Sequence, residues 1–198
     1  LFKGTVESNV AYGDNGGESY SIDEVKKAVR IAQGADFVEN MEGGYDAAIA
    51  QGGTNVSGGQ KQRLAIARAV CRRPEIYIFD DSFSALDYKT DRVLRSVLKK
   101  ETAGVTSLIV AQRIGTIMDA DQIIVLDEGK VVGKGTHREL LRDCAVYREI
   151  AISQLSEQEL MGSLESEGLS GERGSPERNA LVNACHERAI DMEGGATA

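Results

Sequence analysis

The sequence predicts an α/β fold with two unlike halves, and three observations carry that expectation. The run Ile76-Tyr77-Ile78-Phe79 is apolar without alternation and ends in Asp80, the pattern of a strand buried on both faces of a parallel sheet. Strand-like segments at 76–80, 106–111, 122–127 and 130–134 surround one clear helical stretch, Asp87–Glu101, which reads as half of a β/α core. Residues ahead of them read mainly as helix and end in a helix that opens on Ser57-Gly58-Gly59-Gln60.

In chain order, Ser21-x-x-Glu24 is a capping box that opens a helix through Val25, Ala28, Val29 and Ile31. A second helical stretch is expected over 35–41. The third runs from Ser57 to Arg72, with an apolar face of Leu64, Ile66, Ala67, Ala69 and Val70. Ser57-x-x-Gln60 is again a capping box. A cap does not require two glycines in the first turn, each of which costs about 1 kcal/mol relative to Ala. Gly58 and Gly59 lack a Cβ and let another molecule approach the backbone. The unpaired N–H groups of a helix N-terminus suit an anion such as phosphate.

Pro74 closes this helix before the strand begins. Asp80 and Asp81 then fall at the carboxyl end of the strand, where open α/β sheets place ligands. A hard cation such as Mg²⁺ takes oxygen ligands, so one carboxylate plus substrate phosphates suffices. An Asp-Asp-Ser turn after a strand is, by itself, also common in α/β proteins. Further on, Thr136-x-x-Glu139 forms another capping box, with His137 expected to be exposed in the first turn.

Composition narrows the class. The 198 residues suffice for one α/β domain with a proper core. No apolar run reaches eighteen residues, so no membrane span is expected within the chain. Cys71, Cys144 and Cys185 are odd in number and far apart, which fits a reducing compartment rather than a disulfide framework. His137 and His186 lack metal-ligand spacing. The Asn55-Val56-Ser57 sequon is set aside because nothing else points to secretion. The division expected is 1–72 mainly helical, 73–152 β/α core and 153–198 an acidic, largely disordered tail. That tail carries nine acidic and three basic side chains, a net of −6 out of −8. A short amphipathic helix near Asn179–Ile190 is the one ordered element foreseen within it.

These motifs together resemble the nucleotide-binding domain of ABC transporters, of the exporter type. Val56-Ser-Gly-Gly-Gln60 resembles the family's signature motif, Ile76–Asp80 its Walker B strand and Ser84-Ala-Leu-Asp87 its D-loop. Gly52-Gly53 falls where exporters carry the short loop that touches the transmembrane half. Leu1–Gly13 is similar to the stretch after the Q-loop, and Asp121–Leu141 to the closing strands and helix. The fold implied is the P-loop NTPase-like ABC domain: a helical subdomain plus the C-terminal half of the β/α core. The resemblance implies ATP and Mg²⁺ as cofactors and a cytoplasmic position at a membrane. It implies a second nucleotide domain and a transmembrane domain as partners, with no nucleic acid expected.

Three departures qualify the resemblance. No Gly-x-x-x-x-Gly-Lys-Ser/Thr occurs in the sequence, and this is the loop that cradles β- and γ-phosphates. The chain is therefore expected to be an N-terminally truncated part of a longer polypeptide, unable to form a complete ATP site from its own residues. Second, the family places Glu after the Walker B Asp to polarise the attacking water; here Asp81 stands there, one methylene shorter. Third, the switch triplet is Ala111-Gln112-Arg113 where the family has Ala-His-Arg, and Gln cannot titrate.

Asp81 and Gln112 together resemble the degenerate subunit of heterodimeric bacterial multidrug exporters. The implied roles follow. Asp80 would hold Mg²⁺, and Asp81 and Gln112 would serve a slow site. Ser57, Gly58, Gly59 and Gln60 would complete the partner's competent site, and Asp87 would cross the interface. A soluble ABC-type ATPase, or a non-functional fragment unable to bind ATP alone, is the alternative. The exporter-like opening and closing segments speak against the first, and the missing Walker A loop supports the second.

Overall fold

The computed structural model describes residues 1–13 and 20–165. The chain forms two compact units, Leu1–Val110 and residues 111 onward, each with its own hydrophobic cluster. The fold is the mixed α/β one that the sequence predicts.

The first unit opens with β1 (Gly4–Thr5) and α1 (Val6–Val10). Thr5 and Ser8 form a capping box at the start of α1, and β1 pairs antiparallel with β2 (Ala48–Ile49). Then come α2 (Ile22–Ile31), α3 (Ala35–Asn40) and α4 (Gly58–Cys71). The capping boxes at Ser21/Glu24 and Ser57/Gln60 both form. Helix α4 packs on α1 and α2 through Leu64, Ile66, Ala67 and Val70, which meet Val6, Val10, Val25 and Val29 in one apolar cluster. Arg68 on α4 donates from Nε to the Asn9 carbonyl (2.7 Å) and from Nη2 to Asn9 Oδ1 (3.0 Å). The same guanidinium lies over the rings of Phe2 and Tyr12, so it ties the first residues to α4. Leu64 is 1% exposed. Leu64→Ala should therefore cost about 2–5 kcal/mol through lost transfer energy and an unfilled cavity, read as a lowered denaturant midpoint.

Past Pro74, β3 (Ile76–Asp80) pairs in parallel with β4 (Thr106–Val110), with α5 (Tyr88–Glu101) between them in sequence. The predicted burial of this strand on both faces is corrected. Tyr77 and Phe79 are buried, but Ile76 and Ile78 are 60% and 69% exposed, and Leu108 and Val110 of β4 are also exposed. The reason is local: among the described residues, elements cover one face of a two-stranded ladder and leave the other face bare.

In the second unit, α6 (Ile114–Ile117) precedes β5 (Ile123–Asp127) and β6 (Lys130–Gly135). These strands pair antiparallel as a hairpin. The turn places Glu128 and Gly129 at φ +46° and +76°, which matches the twist of the flanking strands. Helices α7 (His137–Asp143) and α8 (Ala145–Gln154) pack together and onto this hairpin through Leu140, Leu141, Tyr147 and Ala151.

The Thr136/Glu139 capping box forms, but His137 is not exposed. It is buried because α7 folds onto α8, where its Nδ1 lies 2.7 Å from the Tyr147 hydroxyl. Burial pushes the imidazole pKa down and the Tyr147 hydroxyl up to about 12; Asp119 opposes the shift at His137, and Arg138 adds to it. A His whose pKa is depressed on folding contributes stability that is present above its unfolded pKa and lost as the pH falls. Thermal melts should therefore show stability dropping from about pH 6.5 downward, and His137→Phe should flatten that dependence.

The stretch expected to be disordered starts in order: α9 (Glu157–Glu165) follows a Ser156/Glu159 hydrogen-bond pair and buries Leu160. The amphipathic helix expected near Asn179–Ile190 lies outside the described residues. Among the described residues, no helix is long and apolar enough to cross a membrane.

Candidate functional site

The site is assembled around the N-terminus of α4. Ser57 takes an extended backbone as N-cap; its amide donates to Gln60 Oε1 (2.9 Å), and its hydroxyl oxygen accepts from the Gln60 amide (3.2 Å). Ser57 and Gln60 thus satisfy each other, and the donors left at this helix start are the amides of Gly58 and Gly59. In front of them lies a cleft of about 460 Å³ lined by Ser57, Gly58, Gly59, Arg63, Ala85, Leu86, Asp87 and Thr90.

The glycines have a reason inside the chain as well. A Cβ on Gly59 would lie 3.0 Å from the Ala85 carbonyl oxygen, and one on Gly58 would be 3.5 Å from the Ala85 Cβ. Gly59 therefore lets the 84–87 segment close onto α4, a contact that sequence reasoning assigned only to another molecule. Arg63 forms the side of the cleft. Its Nη1 donates to the Gln33 carbonyl (2.7 Å) and pairs with Asp36, and its guanidinium lies 4.7 Å from the Phe37 ring centroid.

Asp87 is exposed and caps α5, accepting from the Thr90 amide at 2.9 Å. Hydrogen bonds from Thr90, side chain first and then backbone, hold its carboxyl below the ordinary range, so it is anionic at the cleft edge. Asp80 ends β3 with an exposed side chain, and Ser82 Oγ donates to its carbonyl rather than to its carboxylate. Asp81 is also exposed and lies in the left-handed region at φ +47°. Its amide donates to the Val110 carbonyl (3.1 Å), which anchors the turn to β4.

The donor set at Asp80 and Asp81 is carboxylate oxygen, the chemistry that Mg²⁺ takes. Among the described residues no group of three or more His, Cys, Asp or Glu could hold a metal on its own. A cation there would need further oxygen ligands beyond these carboxylates, such as a nucleotide's phosphates. The residues fit the group on that condition.

The structure brings Ser57, Gly58, Gly59 and Asp87 around one cleft; Gln60 closes the cap behind it. Asp80 and Asp81 belong to the same unit. Gln112 belongs to the second unit, exposed, with its carbonyl accepting from Gln154 Nε2 at 2.9 Å. Gln62, Arg63 and Thr90 were not singled out from the sequence, and Ser84 entered only as the first residue of the D-loop-like segment. The one available signal was position, since Gln62 and Arg63 lie within the first turns of the glycine-led helix.

Comparison with known proteins then identifies the family. The family model described as ABC transporter matches residues 3–84. An uncharacterized ABC transporter ATP-binding protein of Mycobacterium tuberculosis is 49% identical over 154 residues, covering 78% of this chain and 26% of the relative. The present chain is an ABC transporter ATPase domain, homologous to the ATP-binding proteins of ABC exporters. An ATP-dependent lipid A-core flippase of Yersinia pestis is 43% identical over 150 residues, with 76% and 25% coverage. The solved structure of a bacterial Atm1-family ABC exporter with ATP bound superposes with a TM-score of 0.74 at 38% identity. It covers 79% of this chain and 27% of that one. The chain thus spans about a quarter of the length of the proteins it matches.

Proposed function

We propose that this ABC ATPase domain serves as the ATP-binding part of an exporter, working at the cytoplasmic face of a membrane with a transmembrane domain and a second nucleotide domain. Two such domains close head to tail, and ATP binding and hydrolysis between them drive export. What supports the reading most is the helix start of α4. Its cap is internally satisfied, its Gly58 and Gly59 amides are left for an anion, and the cleft before them is bordered by Asp87.

The residues divide the work. Gly58 and Gly59 would donate to the γ-phosphate of the ATP held by the partner, aided by the positive end of α4. Ser57 and Gln60 hold that turn in shape. Asp80 would hold Mg²⁺, which offsets phosphate charge when bound. Asp81 occupies the position that orients the attacking water, and its short carboxylate makes it a poor general base. Gln112 can hydrogen-bond a γ-phosphate but carries no proton to exchange. The chain is therefore the slow half of a heterodimer, completing a competent site on its partner.

One test uses the isolated chain. With no phosphate-cradling loop in the sequence, calorimetry should show weak or absent Mg-ATP binding. A low micromolar dissociation constant, about −8 kcal/mol, would contradict the shared-site reading.

A further inference from the structure

The side chain of Gln62 joins two parts of the site that the sequence treats as separate motifs. It stands on α4 two residues beyond the capping Gln60 and reaches the turn that follows β3. Its Nε2 donates to the Asp81 carbonyl (3.1 Å) and to Ser84 Oγ (3.0 Å). Its Oε1 accepts from the Ala85 amide at 2.9 Å. Ser84 Oγ also donates to the Asp81 carbonyl at 3.1 Å. One amide side chain therefore grips both ends of the segment between Asp81 and Ala85.

The geometry gripped is an unusual one. Asp81 has φ +47°, a region that non-glycine residues visit uncommonly and that costs of order 1 kcal/mol or more. Such a conformation persists where its surroundings over-determine it. Here the Asp81 amide is tied to Val110, and its carbonyl receives both Gln62 and Ser84. On the far side, the Ala85 carbonyl lies against Gly59, so the Ala85 peptide is held by Gln62 through its amide and approached by α4 at its oxygen.

We propose that Gln62 is a positioning residue. It fixes the Asp81 backbone and the Ala85 amide to the helix whose first turn faces phosphate, so that displacement of that turn is carried to Asp81 and to the segment leading into Asp87. The link to catalysis rests on the function proposed above, in which Asp81 serves one nucleotide and Gly58 and Gly59 serve another. Gln62 is then the rigid connection, inside a single chain, between the two sites. A carboxamide suits the role because it supplies a donor and an acceptor at one tip.

The two halves of the grip can be separated by substitution. Gln62→Ala removes both. Gln62→Glu keeps an oxygen for the Ala85 amide but replaces the donor aimed at Asp81 and Ser84 with an acceptor. The test is amide hydrogen exchange and backbone carbonyl shifts of the full chain, measured by NMR without nucleotide. Gln62→Ala should speed Ala85 exchange about tenfold, the loss of one hydrogen bond, and move the Asp81 carbonyl resonance. Amides in the interior of α4, from Leu64 to Val70, should keep their rates. Gln62→Glu should restore Ala85 protection while the Asp81 shift remains displaced. Unchanged Ala85 exchange in Gln62→Ala would overturn the proposal, as would equal acceleration along α4 or failure of the Glu variant to protect Ala85. None of these readouts requires ATP, so they fail or succeed independently of the exporter reading.

Discussion

Gly59→Asp is expected to abolish nearly all ATP hydrolysis by the assembled exporter, whereas Asp81→Asn should reduce it only modestly. The asymmetry follows from which nucleotide each residue faces. Under the proposed function, Gly59 would meet the partner's ATP at the competent site, and Asp81 would belong to the slow one. A carboxylate at position 59 sets a negative charge beside the amides that would receive a γ-phosphate, against the polarity of the helix end. The loss at Asp81→Asn should fall well short of the about 10²–10⁴-fold that an effective general base contributes.

The structure adds a second reason for the severity at Gly59, and a control. Any Cβ there meets the Ala85 carbonyl at 3.0 Å, so part of the effect comes from pushing the 84–87 segment away. Gly58→Ala meets only the Ala85 Cβ at 3.5 Å, an ordinary contact, and should leave that segment in place. Steady-state ATPase rates of the three variants, side by side with their thermal melts, separate the causes. If Asp81→Asn abolished turnover while Gly59→Asp were tolerated, the assignment would reverse and this chain would be the catalytic half.

Much of the site was legible because its signals are local. The capping boxes at Ser21, Ser57 and Thr136 need only residues three apart, and all three form. Strand β3, with Pro74 before it and Asp80 at its tip, is likewise written in consecutive residues. What escaped depends on contacts distant in sequence. Gln62 meets Ala85 across 23 positions, and nothing in the local pattern distinguishes it from Lys61 beside it. His137 has the surroundings of an exposed first-turn residue until α8 brings Tyr147 against it.

The error at β3 has the same origin. Periodicity reports which side chains suit an interior, not whether an element covers them. Ile76 and Ile78 suit an interior, yet no described element lies over them. The left-handed backbone at Asp81 was half legible, since Asp tolerates φ > 0 better than most residues, but its reason lies in Gln62, Ser84 and Val110.

In an exporter whose competent site has been silenced, Asp81→Glu combined with Gln112→His should raise ATP turnover. The first change restores the methylene that lets a carboxylate reach the attacking water. The second restores a side chain that can both hydrogen-bond the γ-phosphate and change its protonation state. General acid–base groups contribute about 10²–10⁴-fold, so even partial recovery should be visible over a silent background. The backbone at Asp81 should accept the longer residue, because its amide and carbonyl are held by Val110, Gln62 and Ser84, while the side chain is exposed. Glu at φ +47° is nonetheless less favourable than Asp, so the gain should shrink when Gln62→Ala is added. The imidazole introduced by Gln112→His should also give the rate a dependence on pH near its own pKa, about 6.5 when unperturbed, which the carboxamide of Gln112 cannot. Single-turnover rates across pH for the double and triple variants test each step. Turnover that stays at background in the double variant would contradict the proposal that these two residues make the site slow.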